Sequence, residues 1–182
     1  MPGSPYENPG GRLQRIDRGV VAVNRALLIA ALGAMSVVVF INVLGRYLTD
    51  YSIPWAEEVA RYLMIWMTFL GTGLVLRIGG HVAVDNLQDS LPVPGARAVR
   101  AAIVLLVAGF CAVGAWVGVS YVTRTWAQTT AVTEIPFAFV AAAVPTGLAL
   151  TLWHLAAVAR AYVLDRRFDA SPDVDADEIK SI

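Results

Sequence analysis

Apolar and polar positions in this chain segregate on the scale of whole helices rather than single turns. Four uncharged runs, at residues 26–45, 62–76, 101–123 and 135–159, are separated by short polar segments. A bilayer hydrocarbon core of roughly 30 Å takes about 20 helical residues to cross. Three runs meet that length unaided. The second meets it only if its helix begins near Trp55 and ends near Ile78, which takes Glu57, Glu58 and Arg61 into its first turns. Backbone groups facing lipid must be paired within their own segment, so the runs predict helices. The expected fold is an all-α integral membrane protein with four transmembrane helices, at about 20–45, 55–78, 100–123 and 135–160.

Composition agrees: 57% of the 182 residues are hydrophobic and only 15% charged. Four spans leave no remaining segment long enough for a soluble domain of ordinary size. One membrane domain, residues 20–164, is expected between an N-terminal segment (1–19) and a C-terminal tail (165–182). The tail carries Asp169, Asp173, Asp175, Asp177 and Glu178 with few apolar residues, a disordered composition. The first apolar run is longer than a signal-peptide core and lacks a small-residue cleavage site, so it is read as an uncleaved helix. Cys111, the only cysteine, falls near the middle of the third span and reads as a packing residue.

Net charge is zero, but its distribution is polarised. The two termini and the segment between the second and third spans hold 11 of the 14 basic residues; the other two loops hold 3. The positive-inside rule places the basic side, and with it both termini, in the cytoplasm. No basic stripe suggests nucleic acid. Within the middle segment, Val84, Leu87 and Leu91 recur at helical spacing before a Pro-Val-Pro-Gly break. A short amphipathic helix on the membrane surface and an extended loop both fit that pattern.

Helices in lipid associate through close packing, so small residues four apart mark interfaces. Ala26, Ala30 and Ala34 form such a line on the first span, Gly114 and Gly118 on the third, and Ala143 and Gly147 on the fourth. The runs hold no Asp, Glu, Lys or Arg. Ion paths and proton relays are built on intramembrane ionisable groups, and transporter ion sites on paired broken helices. Neither pattern is present, and Pro145 offers at most one kink in the fourth span. A self-sufficient homo-oligomeric transporter or channel would need a polar mid-span face. A haem-containing electron-transfer subunit would need His81 and His154 to face one another, whereas His81 falls outside the hydrocarbon. No Ser/His/Asp set, cysteine cluster or phosphate loop is found, so neither catalysis nor a cofactor or metal is expected.

One polar cluster opens the second span. Pro54 suits a helix start, and Glu57 and Glu58 sit where the helix dipole favours acids. Glu57 and Arg61 stand at i, i+4 with the acid first, the better order for a helical pair. Trp55 and Tyr62 add interfacial aromatic rings.

Here the sequence resembles the small permease subunit of TRAP transporters (DctQ-like). The resemblance is carried by Asn42-Val43-Leu44-Gly45-Arg46-Tyr47, Pro54-Trp55-Ala56-Glu57-Glu58 with Arg61, Trp66 and Phe69-Leu70-Gly71. It continues through Arg77 with Gly80-His81-Val82-Ala83-Val84-Asp85, Leu91-Pro92, Gln128-Thr129-Thr130, Ile135-Pro136 and Ala143-Val144-Pro145-Thr146-Gly147. It spans about residues 17–161. The resemblance implies a non-catalytic subunit of a tripartite, sodium-coupled system for organic acids in a bacterial inner membrane. Its implied partners are a large membrane subunit, which holds the solute and sodium sites, and transiently a periplasmic substrate-binding protein. The small subunit would extend the large one's static scaffold. On this reading Arg46, Trp55, Glu57, Glu58, Arg61, Trp66, Gly71, Arg77, His81, Asp85, Gln128, Pro136, Pro145 and Gly147 are candidates for structural or partner-interface roles.

Overall fold

A computed structural model describes residues 12–79 and 91–165. Among the described residues five helices follow in order: α1 (Arg12–Thr49), α2 (Pro54–Arg77), α3 (Val93–Arg124), a single turn α4 (Ala138–Ala141) and α5 (Ala143–Asp165). With α4 and α5 taken as one span, Ala138–Leu164, four helices are long and apolar enough to cross a membrane. The short amphipathic helix expected near residue 85 and both chain termini lie outside the described residues.

The first and third helices begin earlier than their apolar runs, at Arg12 and Val93. Once a span is helical, each added residue costs little and gains a backbone hydrogen bond. The polar extensions also acquire partners. Asp17 pairs with Arg77, and the Arg100 guanidinium donates to the Tyr162 carbonyl at 3.2 Å. Pro54 and Pro94 occupy first turns, where a missing N–H matters least. The fourth span is interrupted at Ala142. Pro145 cannot donate to the carbonyl four residues back, that of Ala141, and its ring crowds it, which ends α4 there.

The helices stand in a row rather than a closed square. In space the order is α1–α2–α5–α3. The fourth span is central, with 50% of its most apolar window buried, while 0% of the corresponding window of α1 is buried. Glycines set the close crossings. A Cβ on Gly147 would lie 2.5 Å from Phe69 of α2, and one on Gly73 would lie 2.5 Å from the His154 ring. Gly118 and Gly114 of α3 receive Pro145 and Leu148 of α5, at 3.0 and 2.7 Å from the same hypothetical atom. The small-residue lines on the third and fourth spans are thus internal interfaces, and Cys111 is buried beside them.

On α1 the covered residues are Gln14, Val20 and the series Asp17, Val21, Asn24, Leu28, Ala31, Met35, Val38, Asn42 and Gly45. The spacing of that series alternates four and three along the helix, the seam of a left-handed helix pair, and α2 supplies the other side. Ala26, Ala30 and Ala34 fall off this seam and are exposed.

Candidate functional site

Polar side chains inside the row gather in two places. At the basic end of the helices, where Arg12–Arg18, Arg77 and Arg97–Arg100 lie, Arg77 closes α2 and is buried. Both of its terminal nitrogens donate to the Asp17 carboxylate, Nη1 to Oδ1 at 2.9 Å and Nη2 to Oδ2. The same Oδ1 accepts from Trp153 Nε1 at 3.1 Å. Arg77 Nη1 also stands 3.1 Å from His154 Nδ1. A guanidinium only donates, so Nδ1 accepts and the ring proton sits on Nε2. Nε2 faces the Asn24 amide at 3.3 Å, and Asn24 Nδ2 donates to the Leu70 carbonyl at 3.1 Å. Asn24 Oδ1 is buried without a partner. Turning the amide over would give Nε2–H an acceptor and set oxygen against the Leu70 carbonyl, so both amide orientations leave one mismatch. His154 and Asn24 are essentially inaccessible, at 0% and 1% exposure. The network ties α1, α2 and α5 together where burial makes each lost partner expensive.

At the opposite end Glu58, 8% exposed, reaches from α2 into the loop between α3 and α4. Its carboxylate accepts from Tyr62 Oη, from the Val132 amide at 2.8 Å and from Thr133 Oγ1 at 3.0 Å. The loop is folded back on itself. Thr130 N donates to the Ile135 carbonyl at 2.9 Å, and Phe137 N donates to that of Gln128 at 2.8 Å. Glu134 takes a left-handed conformation, φ 53°, to make the turn. Trp66 Nε1 donates to the Phe139 carbonyl at 3.2 Å, holding the start of the fourth span to α2. On α1, Asn42 Oδ1 accepts from Ile53 N at 2.7 Å and fixes the short connection into α2.

These two clusters sort the candidates. Glu58, Trp66, Arg77, Pro145 and Gly147 hold helices together, Gly71 lies against Leu28 of α1, and Gln128 and Pro136 shape the loop. Arg46, Trp55, Glu57 and Arg61 are exposed; His81 and Asp85 lie outside the described residues. The expected pairing of Glu57 with Arg61 does not form. Both side chains are exposed on the chain, and an exposed ion pair is worth about 0–1 kcal/mol and does not repay ordering two long side chains. The acid that is buried is Glu58, and its partners are Tyr62 and the loop rather than Arg61. Asp17, Asn24, Trp153 and Thr133 carry no motif in the sequence, Thr130 enters only through the Gln128-Thr129-Thr130 motif, and His154 only as a possible haem ligand. A signal for two of them exists: Asp17 and Asn24 are the polar residues seven apart on the α1 seam. Among the described residues no group of three His, Cys, Asp or Glu side chains converges as metal ligands would.

The network contains no arrangement for bond-making chemistry; its groups bind each other. Comparison with known proteins fits that character. The family described as tripartite ATP-independent periplasmic transporters, DctQ component, matches residues 35–165. A putative TRAP transporter small permease protein of Haemophilus influenzae is 42% identical over 73 residues, 38% of this chain and 45% of that protein. The ectoine TRAP transporter small permease protein of Halomonas elongata is 34% identical over 95 residues, 52% of this chain and 49% of that protein. The isethionate TRAP transporter permease protein DctMQ of Oleidesulfovibrio alaskensis is 28% identical over 75 residues, 38% of this chain and 12% of that protein. The chain spans about half the length of the first two relatives.

Proposed function

The chain belongs to the DctQ component family of tripartite ATP-independent periplasmic transporters, and we propose that it is the static small membrane subunit of such a system for organic solutes. A transporter permease component is not an enzyme. In our reading it sits in a bacterial inner membrane with both termini in the cytoplasm. It packs against a large membrane subunit that carries the solute and sodium sites, and a periplasmic binding protein delivers substrate to the assembly. Organic acids are the proposed cargo; the ectoine system of the Halomonas relative belongs to the same class of small organic solutes.

The observation that carries the scaffold role is how the buried polar groups are used. Asp17, Asn24, Arg77 and His154 are each bonded across helices, and Glu58 is bonded to the loop before the fourth span. A moving transport element would need such groups to exchange partners, and a solute site would need some to face a cavity. The row arrangement supports a large partner as well. α1 and α3 are the outer helices and carry long apolar faces, including Leu32, Phe40, Leu105, Phe110 and Trp116. In the DctMQ relative a match to this chain occupies 12% of one polypeptide, which is consistent with a small domain working beside a much larger one.

Co-expression with the large subunit tests the assignment. A tagged chain should retain that subunit through detergent purification. Recovery of the tagged chain alone, with the large subunit folded and monodisperse elsewhere, would refute it.

A further inference from the structure

The seam between α1 and α2 opens at the end opposite the basic one into a groove of about 410 Å³. Its wall on α1 runs from Met35 to Arg46. The eleven steps between them, at a helical rise of about 1.5 Å, make that about 16 Å. Met35 stands at the centre of the uncharged run 26–45. Half of a roughly 30 Å hydrocarbon core is about 15 Å, so the groove has the depth of one membrane leaflet.

Its lining changes along that depth. Met35, Val39 and Met64 form an apolar floor, and Asn42, Arg46 and Arg61 stand at the mouth. Neither guanidinium has an ion-pair or hydrogen-bond partner among the described residues, although Glu57 shares the rim. The wider charge pattern makes this placement unusual. Among the described residues only three of the 11 basic ones lie towards this end of the helices, Arg46, Arg61 and Arg124, and two of the three line this groove. Two arginines and one carboxylate leave one net positive charge, which matches one phosphodiester.

We propose that this groove is a binding site for a single anionic phospholipid, its phosphodiester between Arg46 and Arg61 and one acyl chain along Met35, Val39 and Met64. Such a lipid would fill the opening between α1 and α2 and support the outermost helix of the row. The occupant must be an amphiphile of leaflet length, because the charged mouth and the apolar floor form one continuous surface.

Native mass spectrometry of the delipidated full-length chain, titrated with palmitoyl-oleoyl phosphatidylglycerol in detergent, tests this. One lipid should add saturably. At roughly a fivefold gain per arginine near a lipid phosphate, the Arg46→Gln/Arg61→Gln double variant should bind about 30-fold more weakly. Arg124→Gln, at the same end but outside the groove, should bind as the wild type does. Val39→Trp, which fills the floor and leaves every charge in place, should also displace the lipid. Neither glycerol 3-phosphate nor diacylglycerol should compete. Equal binding by the double variant and Arg124→Gln would overturn the site, as would unchanged binding by Val39→Trp. Competition by glycerol 3-phosphate alone would make it a phosphate site rather than a lipid site. A photoreactive residue at position 39 that crosslinks to protein instead of lipid in the assembled transporter would show that a partner helix occupies the groove.

Discussion

Arg77→Ala is the substitution from which the fold has most to lose. It removes a guanidinium that holds both oxygens of Asp17 and touches His154. The Arg77 and Asp17 side chains are 10% and 22% exposed, so the pair is largely withdrawn from water. After the change Asp17 keeps the Trp153 indole as a partner, while Nδ1 of His154 faces a void. Breaking a buried ion pair from one side costs about 3–5 kcal/mol. The partial exposure of Asp17 puts the expectation near the lower figure, about 3 kcal/mol. Arg77→Lys should recover little of it, because an ammonium cannot bond both carboxylate oxygens in a planar fork. The assay is reversible unfolding of the purified chain in mixed micelles, followed by circular dichroism, for Arg77→Ala, Asp17→Ala and the double variant. The two single changes should each destabilise, and the double should cost much less than their sum, since the second removes a charge the first has orphaned. Additive effects, or single-variant costs below about 0.5 kcal/mol, would refute the network as the tie between α1, α2 and α5.

Other outcomes follow from the same structure. Glu58→Ala deprives Val132, Thr133 and Tyr62 of one shared acceptor and should cost about 2–3 kcal/mol in the same unfolding assay. Arg61→Ala, at an exposed residue, should stay within about 0.5 kcal/mol. Gly147→Val forces a Cβ to within 2.5 Å of Phe69 and should destabilise by about 3 kcal/mol; Gly33→Ala, with nothing within 4 Å, should be neutral or slightly stabilising. For the orientation, cysteines at Asp50 and Ser171 in a Cys111→Ala background can be tested with an impermeant thiol reagent on intact cells. Asp50→Cys should react and Ser171→Cys should not; the reverse pattern would invert the topology.

Much of this fold is legible in the sequence because lipid imposes a simple rule. Length and lack of charge alone mark the four spans, and Pro54 marks the start of α2 to the residue. The crossings at Gly114, Gly118 and Gly147 are legible too, since only small residues admit a neighbouring helix so closely. The order of the helices is not. In water an amphipathic stripe reports which face is buried, but Leu32 facing outwards and Leu28 facing α2 are equally apolar. Hydropathy therefore carries no record of the α1 seam, and the alanine line at positions 26, 30 and 34 lies off it, exposed on this chain. The polar residues Asp17, Asn24 and Asn42 do mark the seam, because a polar group in this setting must find a partner. The partner network itself was hidden for a different reason. Arg77 and Asp17 lie 60 residues apart and each looks like an ordinary interfacial charge until the helices are packed. Conversely, Glu57 and Arg61 have the right spacing for a pair but are exposed on the chain, with no packed neighbour to hold them together.

The central claim, that this chain supports transport without performing it, is tested most directly in sealed proteoliposomes under an inward sodium gradient. The chain reconstituted alone should move no organic acid. The chain with the large subunit should show sodium-dependent uptake when the binding protein is added outside, and omitting the chain should abolish or strongly reduce it. Sodium-driven uptake by the chain alone, or full uptake in its absence, would contradict the account.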